Sequence, residues 1–264
     1  MRRTIFFFPL LLLLVITVGC IKQTDDIVVP FDIEEEERQD QSQESVVDTL
    51  NINYDGDWVD LGLPSGLLWA TRNVGAQSPT DFGKYYAWGE ITTKSDYSWE
   101  TYIYGSRYGS KYELSKYNTI NFGDQNNYFY QTVGRYFSGV NDNLITLEPV
   151  DDAATVNYGG RTPTSEEWQE LMNNTTRDSI TINGVEGLLL VGPNGMRLFL
   201  PAAGIRSGTQ YLSSSCFGSY WSSSLKTDFP AYAYYIRYDS GRVDFGEISR
   251  ADGLTVRAVR NKDR

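Results

Sequence analysis

Residues 159–172 read Gly-Gly-Arg-Thr-Pro-Thr-Ser-Glu-Glu-Trp-Gln-Glu-Leu-Met, and their order dictates one local structure. Pro163 biases Thr162 toward extended geometry, and Thr164 then stands at an N-cap with Glu167 at the third helical position, the reciprocal Thr-x-x-Glu capping box. The spacing predicts a helix that starts after Thr164 and stops at Asn173 and Asn174. Trp168, Leu171 and Met172 share one face of it, so that face belongs on a core. Pro163 and Trp168 occupy the two positions of a hydrophobic staple.

Outward from the helix the pattern is strand and turn. Downstream, Ser179 to Ile182, Val185 to Val191 and Met196 to Leu200 read as a meander around the turns Asn183-Gly184 and Gly192-Pro193-Asn194-Gly195. Leu188 to Val191 is continuously apolar, as a buried strand is. Further strands are expected at Ser219 to Ser223, Ala231 to Tyr238 and Val243 to Phe245, with Asp239-Ser240-Gly241 as a hairpin turn, and Leu254 to Val259 closes the domain. Upstream, Trp58 to Leu61 and Leu67 to Ala70 flank the turn Leu63-Pro64-Ser65-Gly66. Between them, from Ala76 to about Tyr158, the chain reads as loop, dense in Gly, Ser, Asn and Tyr, with aromatics such as Trp99, Tyr102, Tyr104, Tyr112 and Tyr117 arguing for order. Asp151 and Asp152 are placed to cap a turn of helix at Ala153-Ala154.

The helix start resembles the Arg-x-Pro-Thr-x-x-Glu-Trp motif of the Fibrobacter succinogenes major paralogous domain and of formylglycine-generating enzymes, both variants of the C-type-lectin-like fold. Six further groups stand in the order that domain shows them: the run Val59 to Ala76, Tyr85-Tyr-Ala-Trp-Gly-Glu, Asp151-Asp-Ala-Ala, Phe199-Leu-Pro-Ala-Ala-Gly, Tyr220-Trp-Ser-Ser-Ser and, at the end, Val256-Arg-Ala-Val-Arg. The resemblance covers roughly Trp58 to Arg260. It implies an α+β, C-type-lectin-like mixed fold of short antiparallel strands, long loops and one or two helices, with residues 52–264 as a single domain whose first and last strands pair. Formylglycine-generating enzymes work through a pair of copper-binding cysteines, and this chain offers only Cys216 beyond Cys20. Sugar binding through calcium in lectin-like domains uses Glu-Pro-Asn or Gln-Pro-Asp followed by Trp-Asn-Asp. Here Glu148-Pro149-Val150 lacks the third ligand and Trp-Asn-Asp is missing.

Composition narrows the chemistry. A formal charge of -11 and a pI near 4.6 exclude nucleic acid as a partner, since phosphate binding needs a Lys/Arg stripe. The chain has no histidine, which removes the commonest metal ligand and the commonest general base at neutral pH. Cys216 therefore has no imidazole to deprotonate it and reads as an incidental thiol. Asp124, Asn126 and Asn127 read as polar turn residues rather than a calcium loop. No motif calls for a cofactor or a resident metal.

Recognition is then expected on the last hairpin. Period-two alternation puts Tyr234, Ile236 and Tyr238 on one face and Ala233, Tyr235 and Arg237 on the other. With Ile236 inward, Tyr235 and Arg237 face outward, joined across the turn by Arg242 and Asp244, with Tyr232 and Phe245 at the margin. Tyr and Arg bury large area at low entropic cost and still hydrogen-bond. The expected function is a non-catalytic domain that binds a glycan or protein ligand. The alternatives are a carbohydrate-active enzyme using two carboxylates and a purely structural surface component.

At the other end, Arg2 and Arg3 precede an apolar run from Ile5 to Val18, too short to span a bilayer and right for a signal-peptide core over residues 1–19. Thr17-Val18-Gly19-Cys20 resembles a bacterial lipobox, which makes Cys20 the lipidated first residue of the mature chain. Residues 21–50 carry ten acids against two bases. Such a segment self-repels and extends, so residues 20–51 are expected to be an acidic tether. The expected location is the bacterial outer membrane, held through the lipid alone, with protease shaving of intact cells deciding between the cell surface and the periplasm. Cys20→Ala should abolish labelling by a radioactive fatty acid and shift the protein from the membrane to the soluble fraction; labelling that persists in the variant would place the anchor elsewhere.

Overall fold

The computed structural model describes residues 52, 54–108, 111–120, 129–132, 135–213 and 217–262. The signal-like run, Cys20, the acidic segment, Asp124, Asn126, Asn127 and Cys216 lie outside the described residues. In chain order the elements are strands β1 (Trp58–Asp60), β2 (Leu68–Asn73), β3 (Tyr85–Tyr86), β4 (Gly105–Tyr108), β5 (Lys111–Leu114), β6 (Phe129–Thr132) and β7 (Arg135–Gly139) and helices α1 (Ala153–Tyr158) and α2 (Ser165–Asn173). Strands β8 (Thr176–Ile182), β9 (Val185–Val191), β10 (Arg197–Pro201), β11 (Ile205–Ser207), β12 (Gln210–Leu212), β13 (Phe217–Leu225), β14 (Tyr232–Asp239), β15 (Arg242–Ser249), β16 (Leu254–Thr255) and β17 (Arg257–Arg260) follow. The architecture is mixed and mainly β: short strands in several small sheets, with two short helices among the described residues.

The capping box forms as its letters require. Thr164 Oγ1 accepts from the Glu167 N–H at 3.2 Å, and Glu167 Oε2 accepts from the Thr164 N–H at 2.9 Å. Arg161 donates to both oxygens of the same carboxylate, which fixes the approach to α2. Trp168, Leu171 and Met172 are buried, and Asn174 caps the C-terminus. The helix start is tied to β13 twice: the Ser223 N–H donates to the Pro163 carbonyl, and the Ser165 N–H donates to Ser224 Oγ. Upstream, Asp152 caps α1 through the Ala154 N–H and also accepts from the Thr162 N–H at 2.8 Å and from the Thr162 hydroxyl. One buried carboxylate thus joins α1 to the α2 lead-in.

The meander β8-β9-β10 forms in the expected register, with Ile182 opposite Val185 across Asn183-Gly184. Both turn residues have positive φ, as a two-residue hairpin loop needs. The opening hairpin pairs β1 with β2, and it is β2 that takes the last strand, β17, as its other neighbour. The central sheet has the order β15-β14-β13-β16-β3. Its faces are both covered: Tyr220, Ile236 and Tyr238 join a core with Trp69, Trp168, Leu188 and Leu198, whereas Trp221, Leu225 and Ala233 join a second core with Trp88, Tyr117 and Leu254.

The stretch read as loop between Ala76 and Tyr158 is the main correction. Besides α1, which the Asp152 cap at Ala153-Ala154 predicts, it holds β3 and the four-stranded sheet β4-β5-β7-β6. Its strands are two to five residues long, and β5 pairs in parallel with β7, with Lys111 opposite Tyr136. Pairing of that kind leaves no local turn signature. Several of its described aromatics are core: Trp99 packs edge-on to Tyr102 and Phe137 in a third cluster with Tyr97 and Tyr112.

Because the Trp168 ring contacts Trp69 and Tyr220 at centroid distances of 4.8 and 5.8 Å, Trp168→Ala should cost about 3–5 kcal/mol of stability, and Thr164→Ala about 1 kcal/mol through the lost cap. Denaturant unfolding of the two variants measures both; a neutral Trp168→Ala contradicts the packing.

Candidate functional site

The β14–β15 hairpin is fully registered, with Tyr235 opposite Gly246, Arg237 opposite Asp244 and Asp239 opposite Arg242. Ser240 and Gly241 both take positive φ in its two-residue turn. Tyr235, Arg237, Arg242 and Asp244 therefore do share one face. That face is open at its tip, where Arg242 and Asp244 are exposed, and half-buried at Tyr235 and Arg237. Tyr235 leans on the second core, and its ring lies over Gly246, where a Cβ would stand 3.2 Å from it. Burial pushes the Tyr235 hydroxyl above its usual pKa. The Arg237 guanidinium lies 4.5 Å over the Phe217 ring and pairs with Asp239 at 2.9 Å, and Arg242 pairs with Asp244 at 2.9 Å.

The two marginal residues separate from this set. Tyr232, at the far end of β14, packs against the third cluster. Phe245 has the parity of Val243, which packs on the first core, and so lies on the opposite face from Tyr235's neighbours. There it is 43% exposed. Tyr235 and Ile248 are drawn onto the second core, while the groove opens on the face of Tyr234 and Phe245.

That opening is a groove of about 240 Å³ between the first two turns of α2 and the sheet, with Ser165, Glu166 and Gln169 on the helix side and Ser222, Tyr234 and Phe245 on the sheet side. Trp168 forms its floor and Tyr235 its margin. The helix turns its apolar face down, which leaves Glu166 and Gln169, three residues apart, over the groove. Backbone N–H donation at the helix start holds the Glu166 carboxyl below its usual pKa, offset in part by burial and reinforced by Thr164 and Ser165. Ser222 Oγ already donates to the Tyr234 carbonyl at 2.9 Å. Lys226 lies 5.7 Å from the Tyr234 ring centre and pairs with Asp228 at 3.0 Å. Glu166 and Gln169 were not marked as site residues by sequence; the available signal was the polar i, i+3 pair on the α2 face opposite Trp168.

A second charged cluster joins residues flanking the β4–β5 hairpin to the lead-in of α1. Lys116 Nζ sits 2.5 Å from both Glu148 and Asp151, and the Tyr104 and Tyr117 hydroxyls each donate to Asp151 at 2.6 Å. Burial works to raise the Asp151 carboxyl, and the hydrogen bonds from Lys116, Tyr104 and Tyr117 outweigh it, holding it below the ordinary value. The two carboxylates converge on one ammonium, which is a latch and leaves no place for a substrate between them. Among the described residues no group of His, Cys, Asp and Glu is disposed to hold a metal ion, and no helix is long and apolar enough to cross a membrane.

A carboxylate with a depressed folded pKa stabilises fully above its unfolded value, about 3.9 for Asp, and that stability is lost as pH falls through the folded value. Asp151→Asn should therefore lower stability at pH 7 while flattening the acid limb of the stability profile below about pH 4; thermal melts of both proteins from pH 2 to 7 test this, and parallel acid limbs would exclude Asp151 as a source of the dependence. No protein-family model, curated protein or solved structure matches this chain, so its site rests on its own residues.

Proposed function

We propose that this chain is a cell-envelope lipoprotein, anchored at Cys20 to the outer membrane and lifted to the surface on its acidic tether, whose C-type-lectin-like domain binds a glycan or protein ligand without catalysis. The motif series and the pairing of the opening hairpin with the last strand support the fold assignment. The observation that carries the binding reading is the groove, where an exposed Phe245 and a half-buried Tyr234 stand opposite Glu166 and Gln169. Aromatic area beside a few placed polar groups is the usual make-up of a recognition site. Its volume lies below the roughly 300–1,000 Å³ of enclosed small-molecule pockets, which suits one protruding group of a larger ligand. A two-carboxylate glycosidase needs a facing pair, and Glu166 is the one carboxylate among the groove's lining residues. The hairpin face of Tyr235, Arg237, Arg242 and Asp244 is the neighbouring surface a large ligand would also touch.

A glycan array and a cell-extract pull-down with the full chain provide the test. Capture should fall at least tenfold in a Phe245→Ala, Gln169→Ala double variant whose melting temperature is unchanged. Capture that survives this change and is lost in Tyr235→Ala, Arg237→Ala would move the site to the hairpin face.

A further inference from the structure

The charges around the groove are unevenly matched. Arg237, Arg242 and Lys226, the bases near it, are each engaged by an aspartate at 2.9–3.0 Å. Glu166 and Glu247 have no ion-pair partner among the described residues. Glu247 is exposed and stands opposite Tyr234 in the β14–β15 register, so it shares the groove face with Tyr234 and Phe245. Two carboxylates thus flank the exposed aromatic surface, and no base lines it. Aromatic faces beside a carboxylate favour an organic cation, which gains from ring quadrupole and ion pairing together. Tyr234 already holds the Lys226 ammonium in that way, 5.7 Å from its ring centre.

The groove also opens beside an unused sheet edge. β15 is eight residues long and is the terminal strand of the central sheet, paired to β14 alone. Among the described residues no strand pairs with its outer side, so a row of N–H and C=O groups is presented there. An extended segment can add to such an edge, and its alternate side chains then fall on one face, where Phe245 and the groove lie.

We propose that the groove receives an arginine or lysine side chain carried by an extended segment of a partner protein that pairs with β15. This deepens the binding reading above and rests on it. The volume of about 240 Å³ suits one long side chain, Glu166 and Glu247 neutralise its charge, and Phe245 and Tyr234 pack its stem.

The test is fluorescence anisotropy with the full chain in detergent micelles and a labelled seven-residue peptide of alternating threonine and valine with a central arginine. A second peptide carries citrulline, the uncharged isostere, at the same place. The arginine peptide should bind at least tenfold more tightly, more weakly as salt is raised, and Glu166→Gln should reduce its affinity about tenfold while leaving the citrulline peptide unchanged. Phe245→Ala should weaken both peptides, and melting temperatures confirm that these exposed substitutions leave the fold intact. Equal affinity for the two peptides, lost on Phe245→Ala, overturns the cationic ligand and leaves the binding reading standing. Binding indifferent to both substitutions, or no binding of either peptide, overturns the inference, and the array and pull-down then decide the binding reading separately. Displacement by a glucosamine trimer as effective as by unlabelled arginine peptide would assign the cation to an aminosugar and likewise overturn the protein partner.

Discussion

Burying an indole N–H costs least when it finds an acceptor, and three tryptophans here find one by joining segments far apart in the chain, whereas the buried Trp69 N–H has none among the described residues. Trp168 donates to the Trp221 carbonyl at 3.1 Å, Trp221 to the Tyr86 carbonyl at 2.8 Å, and Trp88 to the Ser222 carbonyl at 2.8 Å. The helix, the middle strand of the central sheet and the β3 segment are thereby held in one arrangement. Each bond replaces a hydration that burial removes, so a wrong docking would leave a polar group unpaired in the core. The groove inherits its shape from this chain of contacts, because Trp168 is both its floor and the first donor.

Two arginines impose a second constraint. Arg250 and Arg257 are fully buried and answered by neutral acceptors. Arg257 donates to Asn73 Oδ1 and to the Ala70 and Phe199 carbonyls, which ties β17 to β2 and β10, and burial pulls its guanidinium below the usual pKa. Arg250 donates to the Tyr102 hydroxyl and to the carbonyls of Lys116, Tyr117 and Pro230, while its plane lies about 5 Å from the Trp88 and Tyr102 rings. The planar fork of a guanidinium serves several carbonyls at once, which a lysine ammonium cannot reproduce with the same geometry. Arg250 ties the segments flanking the β4–β5 hairpin to the connection between β15 and β16, and the Lys116 latch ties them to the α1 lead-in.

These anchors decide where a ligand can approach. With cores on both faces of the central sheet, open surface around β13–β15 is left at the hairpin tip and in the gap where the first turns of α2 stand off from the sheet. The tip closes its charges on itself through Arg237–Asp239 and Arg242–Asp244. The gap is lined by the exposed Phe245 ring and by Glu166, with Glu247 on the same sheet face beside it.

Thr164, Glu167 and Trp168, three or four residues apart, were enough to specify α2, and Asn183-Gly184 with its flanking apolar runs specified the meander, because caps and two-residue turns are local interactions written in adjacent letters. The shared face of Tyr235, Arg237, Arg242 and Asp244 was legible for the same reason, since strand parity needs only the strand. Parity cannot say what lies behind a face. That Tyr235 leans on a second core while Phe245 looks into a groove depended on where Tyr117 and β3 come to rest, and those positions follow from pairings such as β5 with β7 and from hydrogen bonds such as Trp221 to Tyr86. Such contacts join residues that carry no mark of one another in the sequence, because what selects them is the burial of unpaired polar groups and apolar area across the whole chain. Local order was therefore determined by the sequence alone, and the choice of which surface remains open was made only by the tertiary structure.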